Sequence, residues 1–196
     1  MSVAAEPVRL DFDDYVHYTE THPDGVFELL DGAIFKLAPE GDAHLRTRSA
    51  IDWILNRTLD LARYTPWTEA SFPAPGWFDG PRPDNFVSHG PGIVDGAICA
   101  RPRATDIALV IEVSSSTRRK DEARAKLYAR LAIPEYWLID LERASVVVHR
   151  SPGHAEPIGY HYATVTPFGR NADITTMVVD GLTFATSFLL QLATQS

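Results

Sequence analysis

Only one cysteine, Cys99, occurs in the 196 residues, so neither an intramolecular disulfide nor a cysteine-rich zinc framework holds this chain together. No apolar run approaches the length of about 18 residues that a membrane-spanning helix needs. The opening MSVAAEPVRLDFDDY lacks a basic stretch followed by an apolar one, so no secretory leader is expected and the cytoplasm is the expected compartment. Positive charge is also scarce. Eighteen Lys and Arg against 26 Asp and Glu leave a net charge of -8, and the field of such a body repels phosphate, which argues against an indiscriminate nucleic-acid binder. Internal repeats, low-complexity segments and a recognisable interdomain linker are all missing.

What is present suits a folded protein. Hydrophobic residues make up 45% and charged residues 22%, a globular balance, and a chain of this length buries roughly two thirds of its unfolded surface. A single domain over residues 1–196 is expected. Charge is unevenly spread: residues 101–130 hold eight Lys and Arg against four acids. That window is +4 and leaves -12 for the remainder. It reads either as a solvated, salt-bridged helix face or as a basic surface on an acidic body.

Apolar periodicity gives the order of elements. VFELLDGAIFKLAP (26–39) reads as two strands around the turn pair Asp31-Gly32. Leu45, Ile51, Ile54, Leu55, Leu59 and Leu61 space an amphipathic helix over about 43–63. Residues 73–92, rich in Pro and Gly, read as one long loop. IVDGAIC (93–99), IALVIEV (107–113) and EYWLID (135–140) are expected to be neighbouring strands of a central sheet. Thr117 to Leu131 reads as a helix, stopped before Pro134. SVVVHR (145–150) adds a strand, and a short helix near 183–193 ends the chain. Strands alternating with helices imply an α/β architecture.

Two carboxylates, Asp95 and Glu112, interrupt runs expected to be buried. A carboxylate in a core strand loses several kcal/mol of hydration unless it is paired, protonated or bound to a cation. One reading is a strand-end residue facing solvent or an arginine, with Arg101 and Arg103 at hand. The other is a shared divalent ion, Mg²⁺ or Mn²⁺, which takes one or two carboxylates and completes its shell with water and phosphate. Glu28, flanked by apolar residues in VFELLDG, and His44, at the start of the first long helix, could stand beside such an ion or serve structure alone.

The succession ELLDG, AP-EGDAH, VDGAICARPR, LVIEVSSST and KLYARLAIPEYWLID resembles the Uma-type putative restriction endonuclease family, a bacterial branch of the PD-(D/E)XK nuclease superfamily. The resemblance runs from about residue 12 to 150. It implies an α/β (α+β), restriction endonuclease-like fold, a mixed central β-sheet flanked by helices. It also implies a metal site on Asp95 and Glu112, with Glu28 and His44 beside it.

The chain departs from the family pattern in three places. Val94 replaces the proline before the motif aspartate, whereas the literal Pro-Asp pair stands at Pro83-Asp84, which makes Asp84 the second candidate. The strand lysine is replaced: Val113-Ser114 follow Glu112. In this branch the lysine sits on the next helix, four residues before its tyrosine, and counting back from Tyr128 gives Arg124, with Lys126 and Lys120 nearby. Arg supplies charge but cannot act as a base. Arg124 and Lys126 lie roughly 200° apart around an ideal helix, so only one can face the site, and Lys126 is the expected catalytic group. The implied activity is Mg²⁺- or Mn²⁺-dependent hydrolysis of DNA phosphodiesters, in a homodimer, with Arg118, Arg119 and Lys120 on the DNA backbone. The alternative is a nuclease-fold module that binds or assembles without turnover.

Overall fold

The computed structural model describes residues 8–74, 76, 78–94, 97–98, 100–115 and 118–191. The chain divides into two compact units, one of residues 1–39 and 71–82, the other of 40–70 and 83–196.

In the smaller unit, helix α1 (Phe12–Thr21) starts at Asp11, whose carboxylate accepts from the N–H groups of Asp13 and Asp14. Strands β1 (Phe27–Leu30) and β2 (Ala33–Lys36) form the expected hairpin. Asp31 and Gly32 have φ of 51° and 77°, the doubly left-handed geometry for which Asp-Gly is suited. Phe12, Tyr15, Phe27 and Leu29 make this unit's own core.

The larger unit is built on a six-stranded sheet. Its elements are α2 (Asp42–Thr58), β3 (Tyr64–Thr68), β4 (Asn85–His89), β5 (Ile93–Val94), β6 (Ala97–Ile98), β7 (Ile107–Ser114), α3 (Arg118–Arg130), β8 (Glu135–Asp140), β9 (Ser145–Ala155), β10 (Gly159–Phe168), β11 (Asp173–Thr175), β12 (Thr183–Ala185) and α4 (Thr186–Gln191). The strand order is β10-β9-β8-β7-β4-β3. Only β7 and β8 run parallel, joined through α3; the other pairings are antiparallel, so the sheet is mixed as expected. Burial along all of β8, and along β7 except at Glu112, reflects cover on both faces. On one face Ile51 and Leu55 of α2 and Leu189 and Leu190 of α4 close over Ile111, Val113, Trp137 and Ile139. On the other, Tyr128 of α3 meets Tyr136 of β8 with ring centroids 5.0 Å apart.

Three expectations need correction. IVDGAIC is not a strand of the central sheet: β5 and β6 pair only with each other, among the described residues. The neighbour of β7 is instead β4, drawn from the stretch expected to be loop, because Asn85, Phe86 and Val87 pair with Ile111, Val110 and Leu109 and are fully buried. The first long helix ends at Thr58 rather than near 63, since Asp60 gathers the following backbone: its carboxylate accepts from Ala62 N–H and its carbonyl from Arg63 and Tyr64.

Candidate active site

Strand alternation decides which way Glu112 faces. Ile111 and Val113 point into the core under α2, so Glu112 turns to the α3 face. There its Oε1 accepts a 2.5 Å hydrogen bond from the Tyr128 hydroxyl, and the Arg124 guanidinium stands 3.9 Å away. Tyr128 and Arg124 are four residues apart on α3, hence on one side of it.

Asp84 precedes β4 by one residue. Continuing the β4–β7 register by one step sets it across from Glu112. Its backbone N–H donates to Glu112 Oε2 at 3.2 Å, and its own Oδ2 accepts from Val113 N–H at 2.7 Å. The remaining oxygen, Oδ1, lies 2.7 Å from His44 Nε2. Glu40, one turn before His44, brings Oε1 to 3.4 Å from the same nitrogen. One ligand atom each from Glu40, His44 and Asp84 lie within 4.8 Å of one another. Arg48, a further turn along α2, braces the outer side through ion pairs to Glu40 at 2.5 Å and Glu69 at 2.9 Å.

The electrostatics follow from crowding acids in a protected place. Burial, and then the neighbouring Asp84, push the Glu112 carboxyl up to about 8 against the opposing pull of Arg124 and the Tyr128 hydrogen bond. Burial and Asp84 also raise Glu40. Burial works against the His44 cation, but the hydrogen bond and charge of Asp84, with Glu40, outweigh it and leave the imidazole raised. Such a cluster favours added positive charge. Its donor set, carboxylate oxygens with one imidazole, fits a hard divalent ion of the Mg²⁺ or Mn²⁺ class, and the imidazole suits Mn²⁺.

Of the residues singled out from sequence, the structure brings His44 and Glu112 to Asp84. Asp95 lies outside the described residues. Glu28 is buried in β1, in the smaller unit. Lys126 is exposed and lines a separate cavity, whereas Arg124 takes the place beside Glu112. The backbone of Lys120 lies in the first turn of α3. Sequence reasoning missed Glu40 and underrated Asp84. The signals were there: Glu40, His44 and Arg48 recur every four residues, and Pro83-Asp84 leads directly into NFVSH.

Comparisons with known proteins bear on the family and the fold. No curated protein matches the chain. Among solved structures, a crystal structure described as a putative nuclease belonging to DUF820, from Anabaena variabilis ATCC 29413, superposes with a TM-score of 0.70 at 18% identity. The match covers 95% of this chain and 99% of that one, and it shows the shared fold. The family model described as "Uma2: Putative restriction endonuclease" matches residues 12–187, nearly the whole sequence, and the chain therefore belongs to that family.

Proposed function

We propose that the protein is a metal-dependent endonuclease that hydrolyses DNA phosphodiester bonds at the Asp84–Glu112 pair. The observation that carries this reading is the convergence of two buried acids, facing each other across β4 and β7, with His44 and Glu40 on one side and a guanidinium on the other. Asp84, Glu112, Glu40 and His44 would hold Mg²⁺ or Mn²⁺. When bound, such an ion lowers the pKa of a coordinated water and offsets charge on the scissile phosphate.

The chain's own residues do the rest. Tyr128 fixes the Glu112 carboxylate through Oε1, and Val113 N–H fixes Asp84 through Oδ2. Arg124 is placed to stabilise negative charge developing on the phosphate, a role that needs a permanent cation and no proton transfer. Arg48 holds Glu40 in position. Cleavage of both strands of a duplex calls for two such sites, hence a homodimer, and cytoplasmic DNA is the accessible substrate.

The presence of arginine where the family expects lysine favours one further reading, a nuclease-fold module that binds without turnover. Plasmid nicking at low salt with Mn²⁺ separates the two, since weak phosphate contacts are lost as salt rises. The expected outcome is Mn²⁺-dependent nicking, abolished in Asp84→Asn and Glu112→Gln together with the thermal response to Mn²⁺. A Mn²⁺ response without nicking assigns the binding module; neither response overturns the metal site itself.

A further inference from the structure

One unexplained feature of the described residues is a cavity of about 570 Å³ between α3 and the sheet formed by β8, β9 and β10. Its floor is mostly apolar, with Leu138, Val147 and Tyr162, and Tyr160 stands at its side, 43% exposed. Ala125 and Lys126 of α3 form the opposite wall. The lining carries three acids, Asp121, Glu122 and Asp140, and two cations, Lys126 and Arg143. Asp140 is ion-paired with Arg143 at 2.5 Å, and Asp121 accepts a 2.7 Å hydrogen bond from Ser114.

The place of this cavity gives it meaning. Leu138 is the direct register partner of Glu112 across the parallel β7–β8 pair. The floor therefore begins on the strand beside the one that carries Glu112, about 4.8 Å away from backbone to backbone. The same helix serves both: Arg124 and Tyr128 face Glu112, while Ala125 and Lys126 face the cavity.

We propose that this cavity receives an unstacked nucleobase of the DNA strand whose backbone lies at Glu112. The inference rests on the nuclease reading and adds a subsite to it. A base is a flat, mainly apolar body with a polar edge. It needs an apolar floor, an exposed aromatic ring to stack on and a cation for the adjoining phosphate, which are Leu138 with Val147, Tyr160, and Lys126. The volume lies within the range of small-molecule sites. A paired base inside a duplex cannot reach such a floor, so the cavity favours single-stranded or locally opened DNA, as in enzymes that take a base out of the stack. Base-on-aromatic stacking tolerates any sequence. That gives an acidic protein a way to hold DNA without a large basic surface.

The test uses a single-stranded oligonucleotide carrying 2-aminopurine, titrated by fluorescence at low salt in EDTA. Without metal, the measurement is independent of cleavage. The expected result for the wild type is a change in 2-aminopurine emission and tighter binding than to the matching duplex. Tyr160→Ala should weaken binding about tenfold or more. Ala125→Phe, which fills the cavity from the helix without removing any contact, should weaken it comparably. Both variants should keep the wild-type melting response to Mn²⁺, showing that the fold and the acidic cluster are intact. Oligonucleotide affinity unchanged in Ala125→Phe, or equal affinity for single strand and duplex, overturns the proposal. A subsite that fails while Mn²⁺-dependent nicking persists leaves the nuclease reading standing, and the reverse outcome separates the two in the other direction.

Discussion

Two carboxylates buried in neighbouring strands, Glu135 of β8 and Glu112 of β7, have opposite surroundings. Glu135 is fully buried and fully served. Its Oε1 accepts from Trp137 Nε1 at 2.7 Å and from the Arg150 guanidinium at 2.8 and 3.1 Å, while Oε2 accepts from Met177 N–H at 2.8 Å. Arg150 also donates to the carbonyl of Thr175, so the pair ties the chain around 175–177 to the sheet. Glu112 has a phenol and a backbone N–H, a guanidinium only at 3.9 Å, and a second carboxylate opposite. A buried acid with enough donors is a structural joint. One that faces another acid is held in place by the fold at some cost, and it is the one suited to bind a cation.

Mutating each acid sharpens the contrast. Glu135→Ala should cost about 3–5 kcal/mol of stability, because it breaks the ion pair to the half-buried Arg150 and leaves the buried Trp137 Nε1 and the Met177 N–H without their acceptor. Chemical denaturation checks the value, and a surviving Mn²⁺ response in the folded fraction keeps the effect structural. At the Glu112 end, Arg124→Ala should lower the rate of nicking about 10²–10³-fold, as loss of a single preorganised donor does, with Arg124→Lys recovering part of it. A loss in Lys126→Ala equal to that in Arg124→Ala would reverse the assignment of the two faces of α3.

The pH dependence gives a smaller and subtler test. The Glu112 carboxyl, at its usual value when unfolded, is raised to about 8 in the folded protein. Its protonated form therefore stabilises the fold below the ordinary carboxylate range, and that stability is lost as pH rises toward about 8. His44, also raised, acts in the same direction. Without metal, the melting temperature should fall across this window, and Glu112→Gln should flatten the fall. With saturating Mn²⁺ the trend should weaken or reverse, because ligands must be deprotonated to bind. A metal-free wild type whose stability rises with pH across the window would contradict the buried-acid picture. The smallest effect belongs to Lys126→Ala, which should leave melting and the Mn²⁺ response unchanged and reduce the salt dependence of DNA binding by about one phosphate contact.

Much of this was legible in the residues. The β1–β2 hairpin follows from Asp31-Gly32, and β7, β8 and α3 follow from their runs of apolar residues and the serines, threonine and proline around them. Glu112 stood out because it interrupts the apolar run IALVIEV, although a strand-end place facing solvent or an arginine was also open to it. The strand β4 was hidden by the prolines and glycines before it, although its own five residues NFVSH contain neither. The Glu40, His44 and Arg48 spacing was hidden for another reason: charged residues at helical period are ordinary on a solvated face, and only their burial against Asp84 makes them a site.

By itself the sequence determined several local matters: the β1–β2 hairpin, the strands β7 and β8 and the helix α3, that Glu112 interrupts an apolar run, and that Arg rather than Lys stands four residues before Tyr128. The tertiary structure decided which aspartate meets Glu112 and which face of α3 meets it. Local pattern specifies a strand but not its neighbour, and Asp84 reaches Glu112 across 28 residues of chain through the pairing of β4 with β7. The phase of α3 depends likewise on where Tyr128 packs against Tyr136, and that packing turns Arg124 toward Glu112 and Lys126 toward the cavity.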